Sequence, residues 1–261
     1  MSIEQSSTVR GVLAGKIIVV TGAGQGIGTA YARRLARDGA TVVLTDINEQ
    51  GLADAVRRLA SEGLAVGQFA MNVADARDVG AFADWIGEQY GRLDGLINNA
   101  AIFSALTLKP FWEIEEQEWD RVMAVNVKGP WLLVKALLPH LRRSPGASLV
   151  NIGSDAAWMG KTGYLHYVAS KGGIFGMTNA MSRELGAYNI RVNSLSPGFI
   201  ETAVPRATFT QEQLAAILKS QALARTADTG DMVGVASFLM SDDSRWITGQ
   251  TLHINGGMMN H

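Results

Sequence analysis

The chain has 261 residues, of which 47% are hydrophobic and 18% charged. That is enough apolar surface for a sizeable core and too little charge for a disordered chain. Its 23 Lys plus Arg nearly balance 24 Asp plus Glu, so there is no net positive field to hold nucleic acid or an anionic membrane, and the absence of cysteine excludes a disulfide scaffold, a thiolate metal site and thiol catalysis.

Residues 1–12 are polar and aperiodic and read as a mobile tail, with one domain over 13–261. The start lacks the basic and apolar regions of a signal peptide, and the runs Ile17–Val20 and Trp131–Leu138 are too short or interrupted to span a bilayer. The expectation is a soluble cytoplasmic protein. From Lys16 onward, short β-branched runs alternate with amphipathic stretches. They are Ile17–Thr21, a helix near Gly26–Asp38, Thr41–Thr45, a helix near Glu49–Glu62, a strand at Ala65–Met71, a helix near Ala76–Tyr90 and the strand Gly95–Asn98. Two long helical patterns follow, about Glu115–Arg143 and Tyr164–Tyr188, with strands at Ser148–Ile152 and Arg191–Leu195. Strands separated by helices cannot pair as hairpins, so the alternation predicts an α/β protein with a doubly wound, mostly parallel sheet covered on both faces in three layers. Ligands of such sheets bind beyond the carboxyl ends of the strands.

Glycine is over-represented, with 29 residues where an average chain of this length carries roughly 18. Four glycines alternate in Gly22-Ala23-Gly24-Gln25-Gly26-Ile27-Gly28, between a strand and a helix. A chain turning that sharply needs residues without Cβ, and the free N–H groups at the helix start attract a pyrophosphate. The spacing differs from generic G-x-G-x-x-G because Ile27 occupies the last position. Asp46, 24 residues past Gly22, ends the second strand, where a carboxylate can accept hydrogen bonds from ribose hydroxyls. Ile47 and Asn48 supply no cation for a 2′-phosphate, so NAD is preferred over NADP. Asp46 can instead start a turn or cap the next helix, although Asn48 can do that alone.

Tyr167-Val168-Ala169-Ser170-Lys171 lies in a helical pattern, so Tyr167 and Lys171 share a face. A phenol is a poor base near neutrality, and a nearby ammonium and an oxidised nicotinamide lower its pKa by favouring the phenolate. Taken alone, the pair is more often an accident of an exposed helix. Ser154, ending a strand thirteen residues earlier, can hydrogen-bond the same substrate oxygen. Asn98-Asn99-Ala100 ends the strand before it and can line the cofactor crevice. Asn126 sits where a core helix prefers an apolar residue. Asn98 can equally be a satisfied structural amide, an alternative that Asn126 admits less readily.

T-G-A-G-Q-G-I-G at 21–28, N-N-A at 98–100, Ser154, Y-x-x-x-K at 167–171 and Pro197-Gly198 stand in an order and spacing that resemble the single-domain, Rossmann-type short-chain dehydrogenases/reductases over about residues 14–257. The resemblance implies a catalytic tetrad of Asn126, Ser154, Tyr167 and Lys171, with Asn126 holding a water in a proton relay through Lys171. It also implies cofactor contacts from Gly22, Gln25, Gly26, Ile27, Asp46, Ile47, Asn72, Val73, Asn99, Ala100, Tyr167, Lys171, Pro197, Gly198, Ile200 and Thr202, the last two at the nicotinamide carboxamide. A homotetramer assembled through the two long helices is implied as well. Three positions depart from the family's usual pattern. Asn72 stands for the Asp of Asp-Val, its carbonyl oxygen still able to meet the adenine amino group; Ala101 replaces a glycine; and Ile254-Asn255-Gly256-Gly257 replaces V-D-G-G.

Ser154, Asp155 and His166 have the residue types of a hydrolase triad, but Gly153-Ser154-Asp155-Ala156 lacks the G-x-S-x-G elbow. His140, His166, His253 and His261 show no paired ligand spacing, so no metal is expected. The reaction expected is hydride transfer between NAD and a hydrophobic cyclic or aryl secondary alcohol or its ketone. Substrate contacts are expected from Ser154, Ala156, Trp158, Tyr164 and Phe199, with Ile102 and Phe103 nearby; Phe103 and Trp158 can equally pack the core. Residues 200–222, with Pro205, read as a mobile lid. The C-terminal stretch is similar to that of bacterial family members acting on aryl or alicyclic alcohols. Rival readings are a 3-oxoacyl-carrier reductase, docking through Lys128, Lys135, Arg142 and Arg143, and a non-catalytic nicotinamide-nucleotide sensor.

Overall fold

The computed structural model describes residues 11–202 and 211–259. Most of the expected tail, the Pro205 part of the expected lid, and His261 lie outside the described residues.

Seven strands form one parallel sheet: β1 (Ile17–Thr21), β2 (Thr41–Asp46), β3 (Val66–Ala70), β4 (Gly95–Asn98), β5 (Ser148–Ile152), β6 (Arg191–Pro197) and β7 (Thr251–Ile254), in the spatial order β3-β2-β1-β4-β5-β6-β7. The period-2 geometry of a strand sends alternate side chains to opposite faces. Ile18 and Val20 therefore enter one apolar cluster while Val19 enters the other. The first cluster is closed by α1 (Gly26–Arg37), α2 (Glu49–Ser61) and α9 (Thr229–Met240), through Tyr31, Leu35, Leu52, Leu59 and Leu239. The second is closed by α3 (Ala76–Tyr90), α5 (Gly129–Leu141) and α7 (Leu165–Leu185), through Phe82, Ile86, Leu133, Leu137 and Leu185. Helices on both faces of a parallel sheet make the three-layered, Rossmann-type architecture that the alternation predicts.

Sequence order reverses between β2 and β4 on either side of β1, and the crevice at such a switch point is where a ligand enters. Three features differ from the sequence reading. The long pattern at 115–143 is α4 (Glu116–Met123), a π-turn at Ala124–Lys128 and α5 in unbroken succession. This 26-residue run, Glu116–Leu141, is long and apolar enough by length and composition to cross a membrane, which the apolar run Trp131–Leu138 alone is not; here Leu133, Leu137 and Leu141 lie in the core against the sheet. The strand β7 and the helix α9 carry no expected counterpart. Within 200–222, α8 (Gln211–Ser220) is a described helix.

Candidate active site

The glycine turn between β1 and α1 is dictated by close packing. Gly22 has φ +62°, and a Cβ there would lie 2.8 Å from Cα of Ala100; a Cβ on Gly28 would lie 2.2 Å from the Gly22 carbonyl oxygen. Asn99 fastens the turn, its Nδ2 donating to the carbonyls of Thr21 (2.9 Å) and Gly22 (3.0 Å). The N-cap of α1, Gln25, makes no side-chain capping bond, and no acidic side chain occupies the first turn. Such a helix start presents N–H groups and a positive dipole end to an anion. Asp46 closes the far side, its carboxylate accepting from the Gly24 N–H and the Asn48 N–H, each at 2.9 Å. Capping of α2 falls to Asn48, which accepts from the Gly51 N–H, so the cap is not the task of Asp46.

A cavity of about 580 Å³ opens over these groups. It is lined by Gly22, Gln25, Gly26, Ile27, Asp46, Ile47, Asn72, Val73, Asn99, Ala100, Ala101 and Thr202, together with Arg121, Ala124 and Val125 from α4 and the π-turn, which the sequence reading did not single out. The size and the glycine cradle fit a dinucleotide. Asn72 forms a local turn, its Oδ1 accepting from the Ala74 N–H at 3.0 Å, which leaves a second lone pair of that oxygen for a ligand. Asn98 is buried instead, donating to Asn151 Oδ1 at 2.8 Å: it is a structural amide, while its neighbour Asn99 serves the turn.

A second cavity, about 510 Å³, adjoins the first and shares Ile27, Phe103 and Thr202 with it. Ser154, Asp155, Ala156, Tyr167, Pro197, Gly198, Phe199 and Ile200 line it, as do Lys161 and Ala216 and Ile217 of α8. Ser154 is the N-cap of α6 (Asp155–Trp158), its Oγ accepting from the Ala156 N–H at 3.2 Å. A hydroxyl that accepts from the backbone keeps its own hydrogen to donate elsewhere. Tyr167, on α7, is 7% exposed, with its ring tilted on Phe103 at 4.6 Å. One turn on, Lys171 is buried. Its Nζ donates to the Ile152 carbonyl at 2.7 Å and sits 5.7 Å from the centre of the Tyr167 ring. Burial pushes the Lys171 ammonium down to about 8, because the charged form loses its hydration.

Asn126 occupies the π-turn, where the Gly129 N–H bonds the carbonyl of Ala124 five residues back. Its amide oxygen accepts from the Ile102 N–H (2.8 Å) and its Nδ2 donates to Ser170 Oγ (3.0 Å), which in turn donates to the Tyr167 carbonyl (2.7 Å). The side chain thus binds the loop after β4 to the helix of Tyr167; π-turns of this kind recur at functional sites. Two residues expected to touch substrate stand off the cavity. Tyr164 is 1% exposed, packed with Leu106, Val122 and Tyr167. Trp158 lines neither cavity and stacks on Phe175 and His253 at 5.1 and 5.6 Å. The turn carrying Trp158 directs Ala156 inward and the indole outward, a choice that sequence spacing in a four-residue helix does not specify.

The family model described as enoyl-(acyl carrier protein) reductase matches residues 22–259. The chain is 36% identical to human dehydrogenase/reductase SDR family member 4, over 96% of this chain and 90% of that one. It is 35% identical to the 3-oxoacyl-(acyl-carrier-protein) reductase FabG of Thermotoga maritima, over 95% and 99%. The chain belongs to the short-chain dehydrogenase/reductase family. As an oxidoreductase of that family, it superposes on a gluconate 5-dehydrogenase from Burkholderia cenocepacia, solved with NADP and tartrate, with a TM-score of 0.88 at 31% identity, covering 94% of this chain and 95% of the other. Short-chain dehydrogenases/reductases use a nicotinamide cofactor, and the cradle at β1–α1 has the shape and donors for one.

Proposed function

We propose that the protein transfers a hydride between NAD(H) and a hydrophobic cyclic or aryl secondary alcohol or its ketone, with Tyr167 as general acid and base. The observation that carries this reading is the shared wall of the two cavities: Ser154 and Tyr167 open onto one chamber that adjoins the glycine cradle through Ile27, Phe103 and Thr202. When bound, a nicotinamide supplies or takes up the hydride. The chain's own residues do the rest. Tyr167 passes the proton to or from the substrate oxygen, Ser154 donates its free hydrogen to that oxygen, and Lys171 holds the cofactor ribose while its charge beside the phenol favours the phenolate. Asn126 locks the helix of Tyr167 against the cofactor side and supports a water relay through Lys171. Gly22, Gln25, Gly26, Ile27, Asn72, Val73, Asn99, Ala100, Pro197, Gly198, Ile200 and Thr202 would hold the cofactor.

NAD is favoured over NADP by Asp46, whose carboxylate is aimed by the Gly24 and Asn48 N–H groups, and by the lining of that cavity, where among the described residues the one cation is Arg121 of α4. The substrate class rests on Ala156, Phe199, Ile200, Ile217 and Phe103 around the second chamber, with Ser154 fixing the oxygen. A homotetramer through the long helices is supported by Trp131, an indole left 45% exposed on α5; light scattering of the purified protein tests it.

A 3-oxoacyl thioester reductase is the second reading, favoured by the FabG relatives. Of the cations that would dock a carrier, Lys135 lies over the Trp131 ring at 5.2 Å, Arg142 over Tyr188 at 4.1 Å, and Arg143 donates to the Gly91 carbonyl. One experiment separates the readings: turnover of cyclic and aryl ketones and of a 3-oxoacyl thioester, each with NADH and NADPH, by wild type and Tyr167→Phe. The proposal expects NADH-dependent ketone reduction, falling about 10²- to 10⁴-fold in the variant while NADH still binds. Preference for the thioester with NADPH overturns the substrate and cofactor together, and an active Tyr167→Phe overturns the mechanism.

A further inference from the structure

Asp155, which follows Ser154, is 1% exposed although it lines the second cavity. A buried carboxylate is stable only when its lone pairs are taken up by donors, and here three converge. Ser196 Oγ donates to Oδ1 at 2.6 Å, His253 Nδ1 meets the same oxygen at 2.7 Å, and Asn255 Nδ2 donates to Oδ2 at 2.7 Å. A carboxylate only accepts, so the ring nitrogen of His253 carries the hydrogen in this contact.

The donors come from two strands other than the one that leads to Asp155. Ser196 immediately precedes Pro197-Gly198 at the end of β6; His253 is on β7 and Asn255 follows it. Asn255 is itself committed, its Oδ1 accepting from the N–H groups of Gly257 (3.0 Å) and Met258 (3.2 Å), while a Cβ on Gly198 would come within 3.0 Å of its own Cβ. On the other side, His253 meets Trp158 edge-on, Trp158 leans on Phe175, and a Cβ on Gly153 would lie 2.5 Å from that Phe175 ring. One carboxylate therefore joins the turn that carries Ser154 to the Pro197–Gly198 turn.

We propose that Asp155 is a positioning residue: by tying the ends of β5, β6 and β7 together, it fixes the Ser154 hydroxyl relative to the Pro197–Gly198 turn, and so sets the spacing between the substrate oxygen and the cofactor side of the chamber. Hydride transfer needs its reacting atoms within about 3–3.5 Å, and a misplacement near 1 Å costs about a hundredfold, so a brace between these two turns acts on rate. The inference rests on the reading of Ser154 as the group that holds the substrate oxygen.

Asp155→Asn tests it because the change is isosteric yet cannot satisfy all three donors. With the amide oxygen at the Oδ1 position, its nitrogen faces the Asn255 amide nitrogen, and Asn255 cannot turn without releasing Gly257 and Met258. Steady-state ketone reduction is measured for wild type, Asp155→Asn, Ser154→Ala and the double variant. Amide hydrogen exchange of the cofactor-free proteins is followed at residues 153–159 and 196–199. If Asp155 acts through Ser154, the single change lowers kcat about tenfold, with KM and NADH affinity within about threefold, and costs less than about twofold more once Ser154 is alanine. Exchange speeds up at both turns, with the β1 segment unchanged. Equal losses in the two backgrounds, or unchanged exchange at 196–199, overturn the proposal. A fully active Ser154→Ala instead overturns the reading of Ser154, and the exchange data then still decide whether the tie exists. Should Asp155→Asn fail to fold, Ser196→Ala, which removes one donor and leaves the carboxylate two, runs the same cycle.

Discussion

The two adjoining cavities are built by different means. At the dinucleotide end, the cradle itself is backbone: glycines that admit no Cβ and a helix start with unused N–H groups, beside one carboxylate held by two amides. At the proposed substrate end, the walls are side chains on short turns, on α7 and on α8. A backbone wall demands one residue type at each position, so it is written plainly in the sequence. A side-chain wall depends on which way each residue of a turn points, and many sequences satisfy it.

Substitutions at the two ends should therefore fail differently. The largest effect is expected from Gly28→Ala, whose methyl would press on the Gly22 carbonyl. NADH affinity should fall by at least about a hundredfold, with a loss of about 1–3 kcal/mol in stability from overpacking. Calorimetric titration and thermal unfolding check both, and retained NADH binding would show that the cradle is not the phosphate site.

Next comes Lys171→Met, with effects of opposite sign on activity and stability. Turnover should collapse, whereas the cofactor-free protein should become more stable by up to about 3 kcal/mol at neutral pH, the equivalent of moving the ammonium from 10.5 to about 8. The sign follows from linkage. Below pH 8 the lysine is charged in both states and the burial penalty stands in full; between about 8 and 10.5 the unfolded chain binds a proton that the folded chain has shed, so wild-type stability rises with pH. The difference in Tm between variant and wild type should accordingly shrink over that interval. A variant less stable than wild type at pH 7 would mean that the bond to the Ile152 carbonyl outweighs the burial of the charge.

The smallest effects distinguish inward from outward side chains on one turn. Ala156→Phe, which intrudes on the substrate chamber, should raise KM for a bulky ketone about tenfold, roughly 1.4 kcal/mol. Trp158→Ala, two residues on and outside both cavities, should shift KM less than about threefold. Reversed magnitudes would put the indole in the substrate's path.

What the sequence disclosed follows the same division. Strands β1 to β6 and helices α1 to α3 were legible because each pairs an apolar run of the right period with a turn or cap: Asn48 at α2, Asp75 at α3, glycines at α1. By contrast, β7 alternates polar and apolar residues, Thr251-Leu252-His253-Ile254, but over four residues only and without a fully buried position, too short a run to stand out. The helix α9 is apolar nearly all round, and its usable signal was the capping box of Asp228 and Asp231, with aspartate where glutamate is usual. Ser154, Tyr167 and Lys171 could be singled out because polar groups at strand ends and on one helix face stand out against an apolar background. The partners of Asp155 come from positions 41 to 100 residues away, and no local pattern announces such a meeting. Tyr164 and Trp158 share a composition with true lining residues, and only packing separates them.

The π-turn at Ala124–Lys128 also constrains how this chain can change its length. A wider turn accommodates one residue more than an α-helical turn would, and each residue of an α-helix advances the surface by about 100°. Deleting a single position between Met123 and Gly129 would restore a regular helix. The flanking helices would keep their faces, with Leu133, Leu137 and Leu141 still on the sheet, but the widened turn that aims Asn126 at Ile102 and Ser170 would be lost. Insertions and deletions in this lineage should therefore accumulate in the loops and spare that stretch.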